Sequence, residues 1–167
     1  PYDPVADFTP VALVAEQPIV LLVRKDLPVG DLKQFIAYGK ANPGKMQYGS
    51  AGVGSASHLG CAQLNAAAGI DAVHVPYRGS APAVQDAIAG RIDYICALGA
   101  AAVPQIEGQT LKPLASLSPQ RSLLLPQSAT ASEQGLSYDA PFWSAFFVPK
   151  GTPQNVIDKL QKATVAM

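Results

Sequence analysis

A stretch rich in glycine and serine contains the residues best suited to bind a ligand. Residues 49–57 read Gly-Ser-Ala-Gly-Val-Gly-Ser-Ala-Ser, without an aromatic or charged side chain. The residues before it predict a short strand, and those from His58 onward predict a helix that ends at Gly69. A helix start leaves backbone N–H groups unpaired at its positive end, which favours an anion. The amides of residues 50–57 are therefore predicted to hold an anion. The alternative is an ordinary turn whose serines cap the helix.

A second glycine turn, Pro-Tyr-Arg-Gly-Ser at residues 76–80, follows another short predicted strand. Tyr77 is suited either to contact a ligand or to pack within the turn. Arg78 could pair with a carboxylate, although exposed arginines usually face solvent. In open α/β sheets, ligands bind beyond the carboxyl ends of the strands. We therefore expect the two turns to face one crevice.

The sequence lacks the usual catalytic and nucleotide-binding motifs. No Lys-Ser/Thr pair follows the glycines, the third glycine of a dinucleotide fingerprint is missing, and there is no Gly-x-Ser-x-Gly elbow. A serine hydrolase or transferase using Ser55 or Ser57 with His58 is an alternative. It is disfavoured because neighbouring side chains on a helix diverge. A purely structural interaction domain is a further alternative. We predict neither an enzyme nor a bound cofactor or metal.

Composition narrows the class of protein and its partners. The 167 residues are 49% hydrophobic and 14% charged, with a net charge of zero and no run of Lys or Arg. Nucleic acid and anionic membranes are therefore unsuitable partners. The apolar run at residues 19–23, which no other apolar run exceeds in length, is too short for membrane insertion. Cys61 and Cys96 fit no metal-binding spacing, and each lies in an apolar segment. We expect two buried, reduced thiols rather than a disulfide.

The predicted elements alternate between strand and helix, which indicates an α/β fold with a mostly parallel sheet. Beyond Leu111 the pattern changes, because prolines interrupt short apolar runs. We place a lobe boundary near residues 111–113 and expect the later strand to need partners from elsewhere. Strands are predicted at 11–15, 19–23, 45–48, 73–75, 92–97 and 143–148, and helices after Asp31, up to Gly69, from Ala81 to Gly90, from Ala100 to Glu107 and after Thr152.

Several motifs, in order along the chain, resemble a known family. They are Tyr2-Asp3-Pro4-Val5, Tyr48-Gly49-Ser50-x-Gly52-x-Gly54-Ser55-x-x-His58-Leu59, Val73-His74-Val75-Pro76-Tyr77-Arg78-Gly79 and Gly151-Thr152-Pro153. Together they resemble the extracytoplasmic solute receptors of tripartite tricarboxylate transporters, also called the Bug family. The resemblance covers nearly the whole chain.

The resemblance implies a periplasmic binding protein of type II architecture, present as a truncated chain with both ends cut from a longer protein. Residues 1–10 would lead from a missing lobe, 11–112 would form one nearly complete ligand-binding lobe, and 113–167 would be a returning part of the other lobe. Such a receptor is periplasmic, binds a small carboxylate and delivers it to membrane permease subunits.

The resemblance also implies ligand contacts at positions of this chain. Where many members end the next strand with an aspartate, this sequence has Ala97. A ligand that needs that carboxylate is therefore disfavoured. The implied contacts are Ser50, Ala51, Gly52, Gly54, Ser55 and Ser57 from the first turn, and Tyr77, Arg78 and Gly79 from the second.

Overall fold

The computed structural model describes residues 2–165 and contains strands and helices in the predicted alternation. Pro1, Ala166 and Met167, which belong to the expected first and last segments, lie outside the described residues. The elements are β1 (Phe8–Gln17), β2 (Ile19–Arg24), α1 (Leu32–Ala41), β3 (Met46–Ser50), α2 (Ala56–Ala68), β4 (Ala72–Pro76), α3 (Ser80–Ile88), β5 (Tyr94–Leu98), α4 (Gly99–Glu107), β6 (Leu111–Ser116), β7 (Phe142–Pro149) and α5 (Gln154–Val165).

Five strands form one sheet in the order β4-β3-β5-β2-β6. Strand β3 is parallel to β4 and β5, whereas β2 is antiparallel to β5 and β6. Four strands thus run in one direction and β2 runs against them. Strand β2 lies between β5 and β6. Its residues Val20, Leu21, Leu22 and Val23 are all fully buried, as expected of a continuous apolar run covered on both faces. The α/β class predicted from the alternation is confirmed.

Strand β6 was not expected from the sequence. Residues 111–113 were predicted to mark a lobe boundary, yet Leu111–Ser116 forms an edge strand paired with β2. Pro113 obscured this strand, because proline cannot donate to a ladder and is confined to edges and bulges. Both conditions hold here, since β6 is an edge strand and its register shifts between Leu21 and Leu22.

The chain divides into two compact units at positions that differ from the predicted segments 11–112 and 113–167. One unit runs from Gln17 to Pro141, and the other combines the segments before and after it. Residues 113–141 therefore belong with the five-stranded sheet and not with the returning segment. Backbone hydrogen bonds from Ala131 to Ser116 and from Ala140 to Leu117 attach this part of the chain to the end of β6.

The unit that holds both ends of the chain contains the pair β1–β7 and the helix α5. Large apolar side chains remain exposed on its strands, including Leu13, Trp143, Phe146 and Phe147, in keeping with the expectation that strand 143–148 needs further partners. A two-stranded sheet is marginally stable alone. Within residues 2–165, no helix combines the length and apolar character that crossing a membrane requires.

Cys61 and Cys96 form a disulfide, so the prediction of two reduced thiols was wrong. Both residues are fully buried, as their apolar surroundings indicated. Helix α2 packs against β5 and brings the two Cα atoms to 5.4 Å, within bonding range. Gly60 permits this approach, because a Cβ atom there would lie 3.3 Å from Ile19 and 3.7 Å from Cys96.

We predict that the disulfide stabilises the unit from Gln17 to Pro141. It closes a loop with a sequence separation of 35 residues. The C61S/C96S double variant should lose about 2–4 kcal/mol of unfolding free energy, measured by urea denaturation without reductant. Reductant should destabilise the natural chain and leave the double variant unchanged. Two titratable thiols in the denatured, unreduced natural chain would contradict this prediction.

Candidate functional site

The candidate site lies at the edge of the sheet where the parallel strands β3, β4 and β5 end and three helices begin. Ser50 at the end of β3 is level with Pro76 at the end of β4, so α2 and α3 start beside each other. We call residues 50–57 the first turn and residues 76–80 the second turn. The positive ends of both helices are directed to the same edge of the sheet.

Two backbone hydrogen bonds join the first turn to the second. The Tyr77 N–H donates to the Ser50 carbonyl at 3.0 Å, and the Gly79 N–H donates to the Ala51 carbonyl at 3.3 Å. The structure thus places the two predicted turns side by side, as their positions after neighbouring strands suggested.

Glycines allow this contact between the turns. Gly52 and Gly79 have φ angles of 126° and 110°, which are unfavourable for other residues. A Cβ atom on Gly52 would lie 3.4 Å from the Tyr77 carbonyl oxygen, at the limit of close contact. A larger residue at this position would therefore force the turns apart.

The serine hydroxyls of the first turn hold the turn itself. Ser50 is 2% exposed, and its Oγ accepts the Gly52 N–H at 3.1 Å. Ser57 Oγ accepts the Ala51 N–H at 2.9 Å. Ser55 caps α2, since its Oγ accepts the His58 N–H and donates to the Gly52 carbonyl. The capping role considered for the serines is therefore the one observed at Ser55.

Several amides expected to face a ligand are also bound within the turn. The N–H groups of Ala51, Gly52, Gly54 and Ser55 all donate to acceptors of the first turn or of α2. The expectation that every amide from 50 to 57 is available to an anion was thus too broad. The amides of Ala51, Gly52, Gly54 and Ser55 thus have partners within the chain, and the expected ligand contacts of Ser50, Ala51, Gly52, Gly54 and Ser55 stay a prediction.

Other amides at the same edge remain unpaired. Helix α3 begins after Gly79 without a side-chain cap, so its first N–H groups are open to a ligand. The amides of Ser80 and Ala81 were not predicted from the sequence as ligand donors. A helix that starts directly after a glycine, without a capping side chain, would have indicated them. On the two turns as described, the amides of Val53, Ala56, Ser57, Arg78 and Ser80 have no acceptor, and neither does that of Ala81, the second residue of α3.

The third helix start is already occupied by the chain itself. The Gly99 N–H at the start of α4 donates to the Pro18 carbonyl at 2.8 Å. Ala97, at the place where the resemblance would expect an aspartate, is 5% exposed and packs in the core with Val20 and Ile95. The first two amides of α4 thus have acceptors within the chain, since the Ala100 N–H also donates to Gln17 Oε1 at 3.5 Å, unlike the first two amides of α3.

Tyr77 and Arg78 have different surroundings. The Tyr77 hydroxyl donates to Asp86 on α3 at 2.8 Å, and Asp86 also pairs with Arg91 at 2.7 Å. Burial and this contact raise the pKa of Tyr77 to about 12. The phenol therefore fixes the second turn on α3. Arg78 is exposed, and in the described part of the chain its side chain forms no ion pair.

Two histidines stack beneath the first turn. The ring centroids of His58 and His74 are 4.1 Å apart, and the Tyr48 ring lies 4.9 Å from His74 and 6.4 Å from His58. His58 Nδ1 accepts the Gly54 N–H at 3.1 Å, and His74 Nε2 lies 2.6 Å from Ser50 Oγ. Burial and the proximity of His58 lower the pKa of His74. Both rings thus take part in holding the turn.

Neither nucleophilic catalysis nor metal binding is supported by this geometry. Ser55 and Ser57 bond to each other and to the backbone rather than to His58. The one close serine–histidine pair, Ser50 with His74, is buried beneath the turn, where a substrate cannot reach the hydroxyl. Among residues 2–165, no group of three or more histidines, cysteines or acidic residues is arranged to hold a metal ion.

The lowered pKa of His74 predicts a pH-dependent stability. The folded chain binds a proton at His74 less readily than the unfolded chain does. The contribution of neutral His74 to the unfolding free energy is therefore complete above the ordinary pKa of 6.5, and it is lost as pH falls through the lowered pKa of the folded chain. His74→Gln keeps a polar partner for Ser50 and removes the titration. Urea denaturation between about pH 8 and 5 should give a smaller loss of stability for the variant. An unchanged pH dependence would contradict the assignment.

Comparison with known sequences gives a consistent set of relatives. A family model described as "Tripartite tricarboxylate transporter family receptor" matches residues 1–167. A Pseudomonas sp. (strain P51) protein, described as a UPF0065 protein in the tcbD-tcbE intergenic region, is 39% identical over 162 residues, covering 96% of this chain and 48% of the relative. Protein BugT of Bordetella pertussis is 32% identical over 163 residues, covering 97% and 50%. The chain spans about half the length of these relatives.

Solved structures show the same similarity. MatC from Rhodopseudomonas palustris with bound malate superposes with a TM-score of 0.91 at 36% identity, covering 99% of this chain and 56% of that one. R. palustris Rpa4515 with adipate gives 0.91 at 33% identity, with the same coverage. The periplasmic binding protein BugD gives 0.89 at 34% identity, covering 98% and 55%.

Proposed function

Because this chain belongs to the tripartite tricarboxylate transporter receptor family, we propose that it forms the part of a solute receptor that binds one carboxylate group of a small organic acid. The observation that carries the proposal is the pair of adjacent helix starts, α2 and α3, whose open amides converge at one edge of the sheet. The relatives MatC and Rpa4515, described with malate and adipate, support a carboxylate as the ligand class.

Backbone amides at two helix starts provide enough attraction for a carboxylate. A hydrogen bond to a charged group contributes roughly 1.5–3 kcal/mol, and each helix end adds a favourable partial charge. The carboxylate would accept from Val53, Ala56 and Ser57 on one side and from Ser80 and Ala81 on the other. A clamp of several arginines is not needed under this arrangement.

Arg78 would add a positive charge at the rim of the site. Its side chain is exposed and forms no ion pair among the described residues, so it is free to approach an anion. Because solvent screens an exposed charge, its contribution should be smaller than that of the amides. Gly79 and Tyr77 would act through the shape of the second turn.

Malate and adipate, the compounds with which the two related structures are described, each carry two carboxylates. We therefore propose a dicarboxylate as the preferred ligand, with one end held by the first and second turns. The contacts to the other end are not assigned to residues of this chain, which spans about half the length of its relatives. Affinity of this chain alone should consequently be weaker than that of a full-length receptor.

The proposed location is the periplasm, where the receptor would deliver its ligand to membrane permease subunits. The buried Cys61–Cys96 disulfide supports an oxidising compartment, and BugD is itself described as a periplasmic binding protein. The family description names a receptor, so we propose binding without chemical turnover.

A ligand panel tests the carboxylate proposal. Isothermal titration of this chain with malate, adipate and malamide separates charge from size, because malamide is the uncharged diamide of malate. We expect heat of binding from the two acids and none from malamide, since neutral groups form weaker hydrogen bonds to a helix start. Equal binding of malamide and malate would contradict a carboxylate site.

A glycine substitution tests the position of the site. Gly52→Val should lower malate affinity about tenfold or more, the loss of one charge-assisted hydrogen bond, because the side chain would push against the Tyr77 carbonyl.

Gly90→Val is the matched control for this substitution. Gly90 also has a positive φ, 73°, but it follows the far end of α3, and no atom lies within 4 Å of its Cβ position. Both variants should lose similar unfolding free energy, while Gly90→Val keeps its affinity. Loss of malate affinity in both variants, or in neither, would contradict the placement of the ligand site at the two turns.

A further inference from the structure

The tip of the first turn is held by very few contacts. Val53 is 79% exposed, and no atom lies within 4 Å of the Cβ position of Gly54. Three hydrogen bonds restrain this tip: the Ser55 N–H and the Ser55 Oγ both donate to the Gly52 carbonyl, and the Gly54 N–H donates to His58 Nδ1. One of the three therefore depends on the protonation of an imidazole nitrogen.

An imidazole nitrogen accepts a hydrogen bond only when it carries no proton. His58 must therefore be neutral, with its proton on Nε2, to accept the Gly54 N–H at 3.1 Å. A proton on Nδ1 would turn this acceptor into a donor that faces a second donor. The hydrogen bond would be lost, and the tip would keep only the two bonds from Ser55 to the Gly52 carbonyl.

Within residues 2–165, no carboxylate lies within 4.0 Å of a ring nitrogen of His58. His74 on β4 stacks at 4.1 Å, and Tyr48 on β3 lies parallel at 6.4 Å. Tyr94 on β5 lies behind Tyr48, and burial raises the pKa of both tyrosines, which therefore stay neutral. The facing residues 19–23 of β2 carry no titratable side chain, and Cys61 on α2 is in the disulfide. The Tyr138 hydroxyl donates to the Gly60 carbonyl of α2, and Asp139 follows Tyr138 in the chain. In the ligand-free chain a protonated His58 would thus form no ion pair within residues 2–165.

We propose that His58 is a positioning residue of the ligand site, which holds the first turn in its binding shape only while its ring is neutral. Solute affinity would then fall as pH decreases and the His58 ring takes up a proton. This inference rests on the proposed carboxylate function of the two turns. It adds that the acceptance of ligand is linked to proton uptake at a residue that does not touch the ligand.

Three variants separate the proton from the hydrogen bond. His58→Asn places an amide oxygen where Nδ1 stands, so it keeps an acceptor for Gly54 and cannot titrate. His58→Ala removes the acceptor at every pH. His74→Gln keeps a partner for Ser50 and leaves His58 to titrate alone, without a second imidazole at 4.1 Å.

The first measurement needs no ligand. The amide signal of Gly54 is followed by ¹⁵N–¹H NMR from about pH 8 to 5 in the natural chain and in each variant. We expect the signal to titrate in the natural chain and in His74→Gln, and to stay constant in His58→Asn. A constant signal in the natural chain, or an equal titration in His58→Asn, would overturn the proposal.

The second measurement is the malate affinity of the natural chain relative to His58→Asn at each pH. Because both proteins meet malate in the same protonation state at each pH, the ratio of the two affinities does not depend on the protonation of malate. It should be near one at about pH 8 and should show an affinity deficit of about threefold to tenfold in the natural chain at about pH 5.5, the effect of one hydrogen bond. His58→Ala should be weaker at every pH. A ratio that does not change with pH would contradict the linkage. If malate fails to bind at all, the ligand proposal fails, and the Gly54 titration still decides the role of His58.

Discussion

The close contact between two backbone turns is the constraint on which the candidate site depends. The parallel pairing of β3 and β4 continues past the strand ends, where Tyr77 and Gly79 donate to Ser50 and Ala51. These bonds place the starts of α2 and α3 beside each other, which neither helix could achieve alone. Gly52 makes the contact possible, since its lack of a side chain leaves room for the Tyr77 carbonyl.

The polar groups of the first turn are divided between holding the turn and remaining open. The hydroxyls of Ser50, Ser55 and Ser57 satisfy backbone donors and acceptors within the turn. A turn fixed in this way needs little reordering when a ligand arrives, which lowers the entropic cost of binding. The open donors at the two helix starts are then presented in a preset arrangement. Substituting a serine would therefore act mainly through the shape of the turn.

The remaining structure anchors the two helices that carry the open amides. The Cys61–Cys96 disulfide and the close approach at Gly60 fix α2 on β5 and beside β2. The hydroxyl of Tyr77 ties the second turn to Asp86 on α3. The stacked rings of His58 and His74 lie beneath the first turn and connect it to α2 and β4. Rigid supports of this kind suit a site built from backbone donors, because such donors cannot adjust by changing rotamer.

Sequence alone determined the features that depend on neighbouring residues. Apolar periodicity located the strands and helices that precede Leu111. Asp31 and Ser55 cap their helices. Gly69 ends α2 in the left-handed conformation. The ordered motifs identified the family, which the model matching residues 1–167 confirms. The predicted binding-protein fold is confirmed by the superposition on BugD.

Tertiary structure decided the features that depend on residues far apart in the chain. The disulfide joins residues separated by 35 positions, so its formation required the packing of α2 on β5. Strand β6 tolerates Pro113 because it lies at the edge of the sheet and its register with β2 shifts. Neither the edge position nor the register shift can be read from the residues near Pro113. Which amides are open could be known only from the structure, because it shows which backbone N–H groups donate to the serine hydroxyls and to His58. The first turn was predictable as a location, whereas its available donors result from hydrogen-bond competition in three dimensions.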